Sequence, residues 1–421
     1  MQNHKTVQLM KRKFEIPDIY KSTIITRVKE HQLIADPRRR NFIPTLLDFG
    51  PLHVIIPRHF GFCFGVQNAI EIAYRTIDQY SGKRIFFLSE MIHNPTVNRD
   101  LISKGVRFIF EPSGKQLIDW DSLTPDDIVV VPAFGTTIEI QNELNKRGID
   151  PYSFDTTCPF VEKVWKRGIE LGTKGYANVI HGKHTHEETR ATFSHVSKSG
   201  PAVVILDVNE AKILAEIISG DRPNHDFQKY FSNKSTPDFE PNRDLKKFGV
   251  INQTTMLATE TQEIMEILKS AVIKKYGEAD VLAHFADTSD TLCYATNENQ
   301  TSTIHALDSQ ADLAFVVGGY NSSNTSHLVE LSELKVKTFF VKDESEIKSK
   351  NEIRHFNWRD KKMEIAYDWF PENKRPLKVI MNSGASCPDS TLDGVILRLL
   401  GFFESHETIE NVLNRLTNPT T

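Results

Sequence analysis

The feature that most restricts the fold of this chain is a threefold internal repeat. Cys63, Cys158 and Cys293 each precede a helix-like stretch, then a strand-like run, then a small polar turn. Those turns are "HNPTVNRDL" beginning at His93, "HTHEETRAT" containing His186, and "NSSNTSHLVEL" beginning at Asn321. Thirty residues separate Cys63 from His93; 28 separate Cys158 from His186 and Cys293 from Asn321. A second strand in each copy ends in another polar turn: "PAFGTT" from Pro132, "INQTTM" from Ile251 and "NSGASC" from Asn382. A period of about a hundred residues is too long for a solenoid and suits three related α/β units.

The local patterns agree. From Leu52 onward, the runs "HVIIP", "RIFFLSE", "DIVVVPAFG", "NVIHG", "AVVIL", "FGVIN", "DLAFVVGG", "KTFFV" and "LKVIMNSG" alternate with amphipathic stretches such as "GVQNAIEIAYRTIDQY" and "TIEIQNELNKRG". Strands alternating with helices predict α/β domains with mostly parallel sheets. The expected divisions are an N-terminal extension over 1–50, an α/β domain over 51–157 and a second over 158–285. A third domain spans 286–405, with a C-terminal tail over 406–421. Residues 221–247, polar and aromatic without a period, read as an insertion or long loop within the second domain. The extension, a possible helix followed by the turn and basic run "DPRRR", reads as solvated or loosely packed.

Composition excludes several classes. A charged fraction of 25% and a hydrophobic fraction of 39% are ordinary for a globular protein. A net charge of -4 gives no reason to expect nucleic acid as a partner. No apolar run approaches the ~20 residues that span a bilayer. Residues 1–40 hold ten Lys and Arg, but Glu15, Asp18, Glu30 and Asp36 interrupt them, unlike an acid-poor transit peptide. Four cysteines without a secretory signal point to a reducing compartment, and the cytoplasm is the expected location.

Ligands in open α/β sheets bind beyond the carboxyl ends of the strands. Three such units bring three cysteines to equivalent places, and three thiolates at one point suggest a metal site. Structural zinc sites take four ligands and commonly use Cys-x-x-Cys pairs, which this chain lacks. Three cysteines without a fourth suit an iron–sulfur cube with one open iron, although zinc with three thiolates and a water stays open on ligand type alone. His93, Asn94, His186, Ser322, Ser323, Asn324, Ser386 and Gln253–Thr255 all precede helix-like segments. Such turns form anion sites, typically for phosphate. No Walker or Rossmann glycine pattern accompanies them. A diphosphate beside a redox cluster is the sharper of the expectations they raise.

With these residues in view, the chain resembles the LytB family, the 4-hydroxy-3-methylbut-2-enyl diphosphate reductases. The matching pieces are "GFCFGV", "HNPTVNRDLISKGVRF", "DTTCPFVEKVW", "HGKHTHEETRAT", "INQTTM", "LCYATNENQ", "GGYNSSNTSHLVEL" and "NSGASCPD", in order over most of the chain. Their wording is similar to the plant and cyanobacterial branch. The resemblance implies a trefoil of three related α/β domains around a central cluster. One [4Fe–4S] cluster per chain would be held by Cys63, Cys158 and Cys293, with one iron open to the substrate oxygen. It implies diphosphate contacts from His93, His186, Ser322, Asn324 and Ser386, with Ser323 beside them. Glu188 takes the place of the family's proton donor, and Thr254 that of its companion threonine, with Thr255 as the alternative register. The implied reaction is two-electron removal of the substrate hydroxyl to give isopentenyl and dimethylallyl diphosphate. This is the last step of the non-mevalonate isoprenoid pathway, and the family takes electrons from reduced ferredoxin or flavodoxin. Arg38, Arg39 and Arg40 are a candidate docking patch for an acidic donor.

The chain departs from the common bacterial pattern at Phe134, where many members have histidine, and in the extension and insertion. Two other readings compete. A non-catalytic iron–sulfur sensor would need the cysteines but neither Glu188 nor the polar turns. A zinc hydrolase would use His181, His184 and His186 with Glu188 as base, although "HGKHTHEET" lacks the helical His-Glu-x-x-His register. Cys387 reads as structural, a small buried hydrophobe.

Overall fold

The computed structural model describes residues 14–286, 288 and 291–417. They form two compact units. The first comprises the chain up to Gln67, His93–Val97 and the chain from Tyr294 onward; the second comprises Asn68–Ile92 and Asn98–Cys293.

The first unit is built on a five-stranded sheet in the order Thr45–Asp48, Leu52–Ile56, Leu377–Ser383, Leu313–Val317, Thr338–Val341. Only the first pair is antiparallel. Its strands carry apolar residues on both faces. Val54, Ile56, Phe315, Val317, Val379 and Met381 pack on one side with Leu392, Val395 and Ile396. Ile55, Ala314 and Ile380 pack on the other with Ala306 and Leu307. Two covered faces explain the near-continuous apolar runs seen in the sequence. The strand Leu52–Ile56, grouped by chain order with the first α/β domain, pairs in parallel with Leu377–Ser383. A two-stranded antiparallel hairpin, Glu352–Asn357 with Lys362–Tyr367, completes the unit's strands.

The second unit holds two parallel sheets. One runs Arg107–Phe108, Ile85–Phe87, Ile128–Val130; the other runs Ala202–Ile205, Ala177–His181, Phe248–Asn252, Phe285–Ala286. All nine apolar runs named from the sequence form strands, and the two amphipathic stretches form the helices Phe64–Gln79 and Ile138–Lys146. The α/β class with mostly parallel sheets is the observed one. Among the described residues, no helix is long and apolar enough to cross a membrane.

Three expectations need correction. The extension is not loosely packed: the helix Ile24–Ala35 buries Ile24, Ile25 and Val28 in the core of the first unit. Four buried side chains on a twelve-residue helix, Gln32 being the fourth, give a stripe too narrow to reveal its packing in sequence, and its N-terminus is fastened by a distant residue, Asp393. Residues 221–247 are not a loop but carry the helices Asp226–Phe231 and Pro241–Asp244. Phe227, Phe231 and Phe239 anchor them, with Phe227 and Phe239 stacked at 4.8 Å. Helices of six and four residues are too short to display a period. The C-terminal tail also contains a helix, Ile409–Thr417, whose Val412 and Leu413 are buried.

Candidate active site

Each cysteine of the repeat stands at the foot of a helix. Cys63 precedes Phe64–Gln79, Cys158 is the N-cap of Pro159–Thr173, and Cys293 precedes Tyr294–Leu307. The first two are fixed in the same way: Cys63 N–H donates to the Ala385 carbonyl at 3.3 Å and Cys158 N–H to the Ala133 carbonyl at 3.0 Å. In both cases the acceptor lies in the polar turn after a strand. Burial pushes the Cys63 thiol above its ordinary value, while the N–H groups of Val66, Gly65 and Cys63 itself favour the thiolate. A sulfur facing several N–H groups at a helix start suits a metal-bound thiolate better than a free thiol. Cys63 belongs to the first unit, and Cys158 and Cys293 to the second. Cys387 is fully buried in the core of the first unit, and burial together with the nearby Asp389 carboxylate pushes its thiol up.

The second unit holds Glu188, His186 and Thr254. After the strand Ala177–His181, the chain turns at Gly182, where a Cβ would stand 2.8 Å from Thr189 Oγ1 and 2.9 Å from Gln253 Cβ. His186 then caps the helix Glu187–Ser197, its Nδ1 accepting from Glu188 N–H at 3.2 Å. Glu188, in the first turn, is 1% exposed. Its carboxylate accepts from Thr254 through both oxygens: N–H to Oε1 at 2.5 Å and Oγ1 to Oε2 at 2.9 Å. Thr255 faces elsewhere, its hydroxyl accepting from Gln253 Nε2 at 2.7 Å. Gln253 ties the two turns together: its N–H donates to the His181 carbonyl, and its Oε1 accepts from Lys183 N–H and Thr189 Oγ1. Phe134 sets its ring against His186 at 5.7 Å in a T-shaped contact.

The first unit holds the other polar turns. Asn94 Oδ1 caps the helix Pro95–Ser103 by accepting from Thr96 and Val97 N–H at 3.0 and 3.2 Å. His93 is buried beside it, its Nδ1 3.3 Å from Asn321 Nδ2 and its carbonyl accepting from Ser386 Oγ at 3.2 Å. Ser322 caps the helix Ser323–Glu333, its hydroxyl accepting from Thr325 N–H. Asn324 Oδ1 accepts from Ala385 N–H at 2.9 Å, while its Nδ2 is buried with no hydrogen-bond partner. A buried amide donor left over in a well-paired turn is where a bound anion would supply the missing acceptor. This unit therefore brings together His93, Ser322, Asn324 and Ser386, with Ser323 as the first helical residue. Each Nδ1 faces a nitrogen donor, Asn321 Nδ2 for His93 and the Glu188 N–H for His186, which suits the tautomer protonated at Nε2.

Sequence reading missed Asn321 as a partner of His93, and Gln253 as the brace between two turns. The signal for the first was the glycine pair before it. A Cβ on Gly319 would collide with the His93 carbonyl, so the strand-end turn must be glycine for these two turns to meet.

The zinc-hydrolase arrangement is not formed. His181 is fully buried, its Nδ1 2.9 Å from Thr261 Oγ1 and its Nε2 3.6 Å from Glu260 Oε2. His184 lies elsewhere, where burial and the charges of Lys234 and Arg190 lower its pKa. Within each unit, among the described residues, no three or more His, Cys, Asp or Glu side chains are gathered to hold a metal ion.

Comparison with known proteins closes the identification. Residues 54–400 match the profile of the LytB protein family. A 4-hydroxy-3-methylbut-2-enyl diphosphate reductase of Prochlorococcus marinus is 37% identical over 97% of this chain and 98% of its own. A Synechococcus protein of the same name is 38% identical over 85% of this chain and 88% of its own. The longer match takes in most of residues 1–50, so the N-terminal segment has a counterpart in that relative. Two solved structures share the fold. A Plasmodium falciparum E-1-hydroxy-2-methyl-but-2-enyl-4-diphosphate reductase matches with a TM-score of 0.60 and 20% identity, covering 88% of this chain and 99% of that one. An (E)-4-hydroxy-3-methyl-but-2-enyl diphosphate reductase, described as the terminal enzyme of the non-mevalonate pathway, matches with a TM-score of 0.50 and 21% identity, covering 83% and 99%. This chain belongs to the LytB family.

Proposed function

We propose that the chain is an oxidoreductase that converts 4-hydroxy-3-methylbut-2-enyl diphosphate to isopentenyl and dimethylallyl diphosphate, the last step of the non-mevalonate isoprenoid pathway. One C–O bond breaks; two electrons and two protons enter, and water leaves. The observation that carries this reading is the buried Glu188 carboxylate held through both oxygens by Thr254. A sensor would have no use for it.

Cys63, Cys158 and Cys293 would hold one [4Fe–4S] cluster. The donor set fits: three cysteines at helix starts, N–H groups facing the Cys63 sulfur, and the fourth cysteine committed to a core. When bound, the cluster supplies the two electrons and a Lewis acid for the departing oxygen. The protein's own work is positional and protonic. His93, His186, Ser322, Ser323, Asn324 and Ser386 take the diphosphate, with both histidines donating through Nε2 and Asn324 through its unpartnered Nδ2. Holding the anion restricts the freedom of the substrate's hydroxyl end. Glu188, oriented by Thr254, passes a proton to the hydroxyl so that water rather than hydroxide departs. The allylic fragment accepts its second proton at either end, giving the two products.

Reduced ferredoxin or flavodoxin is the donor that fits a low-potential cluster. Arg38 and Arg40 are exposed and suit an acidic surface, whereas Arg39 already engages His59 and Glu298. A reducing, cytoplasmic setting suits cysteines that serve a metal rather than disulfides. The test is anaerobic: protein of measured iron and sulfide content receives a reduced viologen and the substrate, and products are identified by mass spectrometry. Isopentenyl and dimethylallyl diphosphate are expected. Cluster-loaded protein that leaves the substrate unchanged would favour the sensor.

A further inference from the structure

The loop leading to Cys63 is held residue by residue within the first unit. The Pro57 carbonyl accepts from Gln32 Nε2 at 3.3 Å. Arg58 donates to the Gln32 and Asp36 carbonyls, each at 3.2 Å. His59 N–H donates to Ser302 Oγ at 3.1 Å, and its ring lies 3.1 Å from the Arg39 guanidinium. Phe60 lies beneath the Lys29 ammonium, 4.9 Å from Nζ to ring centroid. Gly61 has a φ of +69° and sits so close that a Cβ would stand 3.0 Å from Asp389 Oδ1 and 3.2 Å from Lys29 Nζ.

Lys29 joins two of these contacts to a third element. Its Nζ reaches both Asp389 oxygens, at 2.7 and 2.9 Å. Asp389 opens the helix Asp389–Leu400, three residues beyond Ser386. Lys29 thus touches the loop that carries Cys63 and the start of the helix that follows the Ser386 turn. It is itself firmly based. The start of its helix is fastened to Asp393, which accepts from Ser22 Oγ at 2.6 Å and from Thr23 and Ile24 N–H at 2.9 and 3.1 Å.

We propose that Lys29 is a positioning residue, holding the Cys63 loop and the Ser386 turn in register through its ion pair with Asp389. The proposal rests on reading Cys63 as a cluster ligand and Ser386 as a diphosphate contact. The pair is part-exposed, with side-chain accessibilities of 31% and 18%. Pairs of this kind contribute little to folding, so the effect falls on geometry rather than on stability. Small displacements of groups that orient a substrate are enough to slow a reaction.

The test uses the full-length, anaerobically reconstituted protein as wild type, Lys29→Met, Lys29→Arg, Asp389→Asn and the Lys29→Met/Asp389→Asn double variant. Met keeps the apolar stem over Phe60 and removes the charge. The readouts are kcat and KM for the diphosphate with reduced viologen, the electron paramagnetic resonance spectrum of the reduced cluster, and the urea midpoint. Lys29→Met should lower kcat/KM about tenfold and change the spectrum at an unchanged urea midpoint, with Arg restoring activity to within about threefold. The double variant should be no worse than the poorer single one, because the pair acts as a unit. Lys29→Met within about twofold of wild type with an unchanged spectrum would overturn the proposal. So would a loss of activity that tracks a lowered urea midpoint, or one that Arg fails to restore. A wild type without turnover would instead defeat the functional reading, and the spectra would then decide the role of Lys29 by themselves.

Discussion

Glu188 meets Thr254 through both carboxylate oxygens, one facing a backbone N–H and the other a hydroxyl. Glutamine can keep that arrangement, since its Oε1 can face the N–H and its Nε2 the hydroxyl, which can rotate to accept. What it loses is a transferable proton. Glu188→Gln should therefore retain iron and sulfide and lose about a hundredfold or more in turnover, the usual worth of a general acid. Near-normal rates in that variant would remove Glu188 from proton delivery. At this scale the sequence was informative wherever rare residue types clustered in a turn. The three cysteines could be singled out because each lay at a corresponding place in a repeat, and the Glu188 of "HEET" through the resemblance to the LytB family. The partnership of Glu188 with Thr254 over Thr255 depends on how two strand ends meet, 66 residues apart in the chain, and no local pattern carries that. Phe134 was visible as a departure, but its edge-on contact with His186 was not.

Strands and long helices were legible because burial on both sheet faces leaves apolar runs and burial on one helix face leaves a period. The two short helices missed in the sequence, and the packing of the helix in the extension, lack either mark. The helix Ile24–Ala35 is held by a narrow stripe and a distant carboxylate; the helices at 226–231 and 241–244 are held by a few aromatics. The contact between the "HNP" and "NSSN" turns gives a prediction at this scale. Gly319→Ala places a methyl against the His93 carbonyl, which also accepts from Ser386. KM for the diphosphate should rise about tenfold, the loss of roughly one hydrogen bond, with a smaller change in kcat. An unchanged KM would separate these turns from substrate binding. The element that follows Leu52–Ile56 gives another. Burial, with the charges of Arg39 and Arg58, lowers the pKa of His59 from 6.5 to about 4, against the opposing charge of Asp36. As pH falls, the unfolded chain takes up this proton near 6.5 and the folded chain only near 4. Stability from this group is therefore complete above pH 6.5 and lost between 6.5 and about 4. Urea midpoints should fall less steeply with pH across that window in His59→Gln than in wild type. Equal slopes would place the proton elsewhere.

At the scale of the whole molecule, the repeat was the most informative feature of the sequence, since it linked cysteines and turns that no single motif could connect. The fold likeness and the family match agree with that reading of an α/β protein. The chain-order grouping was less faithful, because Leu52–Ile56 joins a sheet whose other parallel strands begin more than 250 residues later. Nothing local marks which sheet a strand will enter. The four cysteines divide by environment. Cys158→Ala should lose most of its iron and sulfide, and an intact, active cluster there would overturn the ligand assignment. Cys387→Ala removes only a packed sulfur, with a cost of about 1 kcal/mol in stability and near-normal activity. The most direct measurement of the central claim is an electron count. Cluster-loaded protein, with its iron and sulfide quantified, is titrated anaerobically with 4-hydroxy-3-methylbut-2-enyl diphosphate in the presence of a one-electron reduced viologen. Reductive dehydroxylation predicts two equivalents of dye oxidised for each substrate consumed. Substrate consumed without dye oxidation, or dye oxidised without loss of substrate, would contradict it.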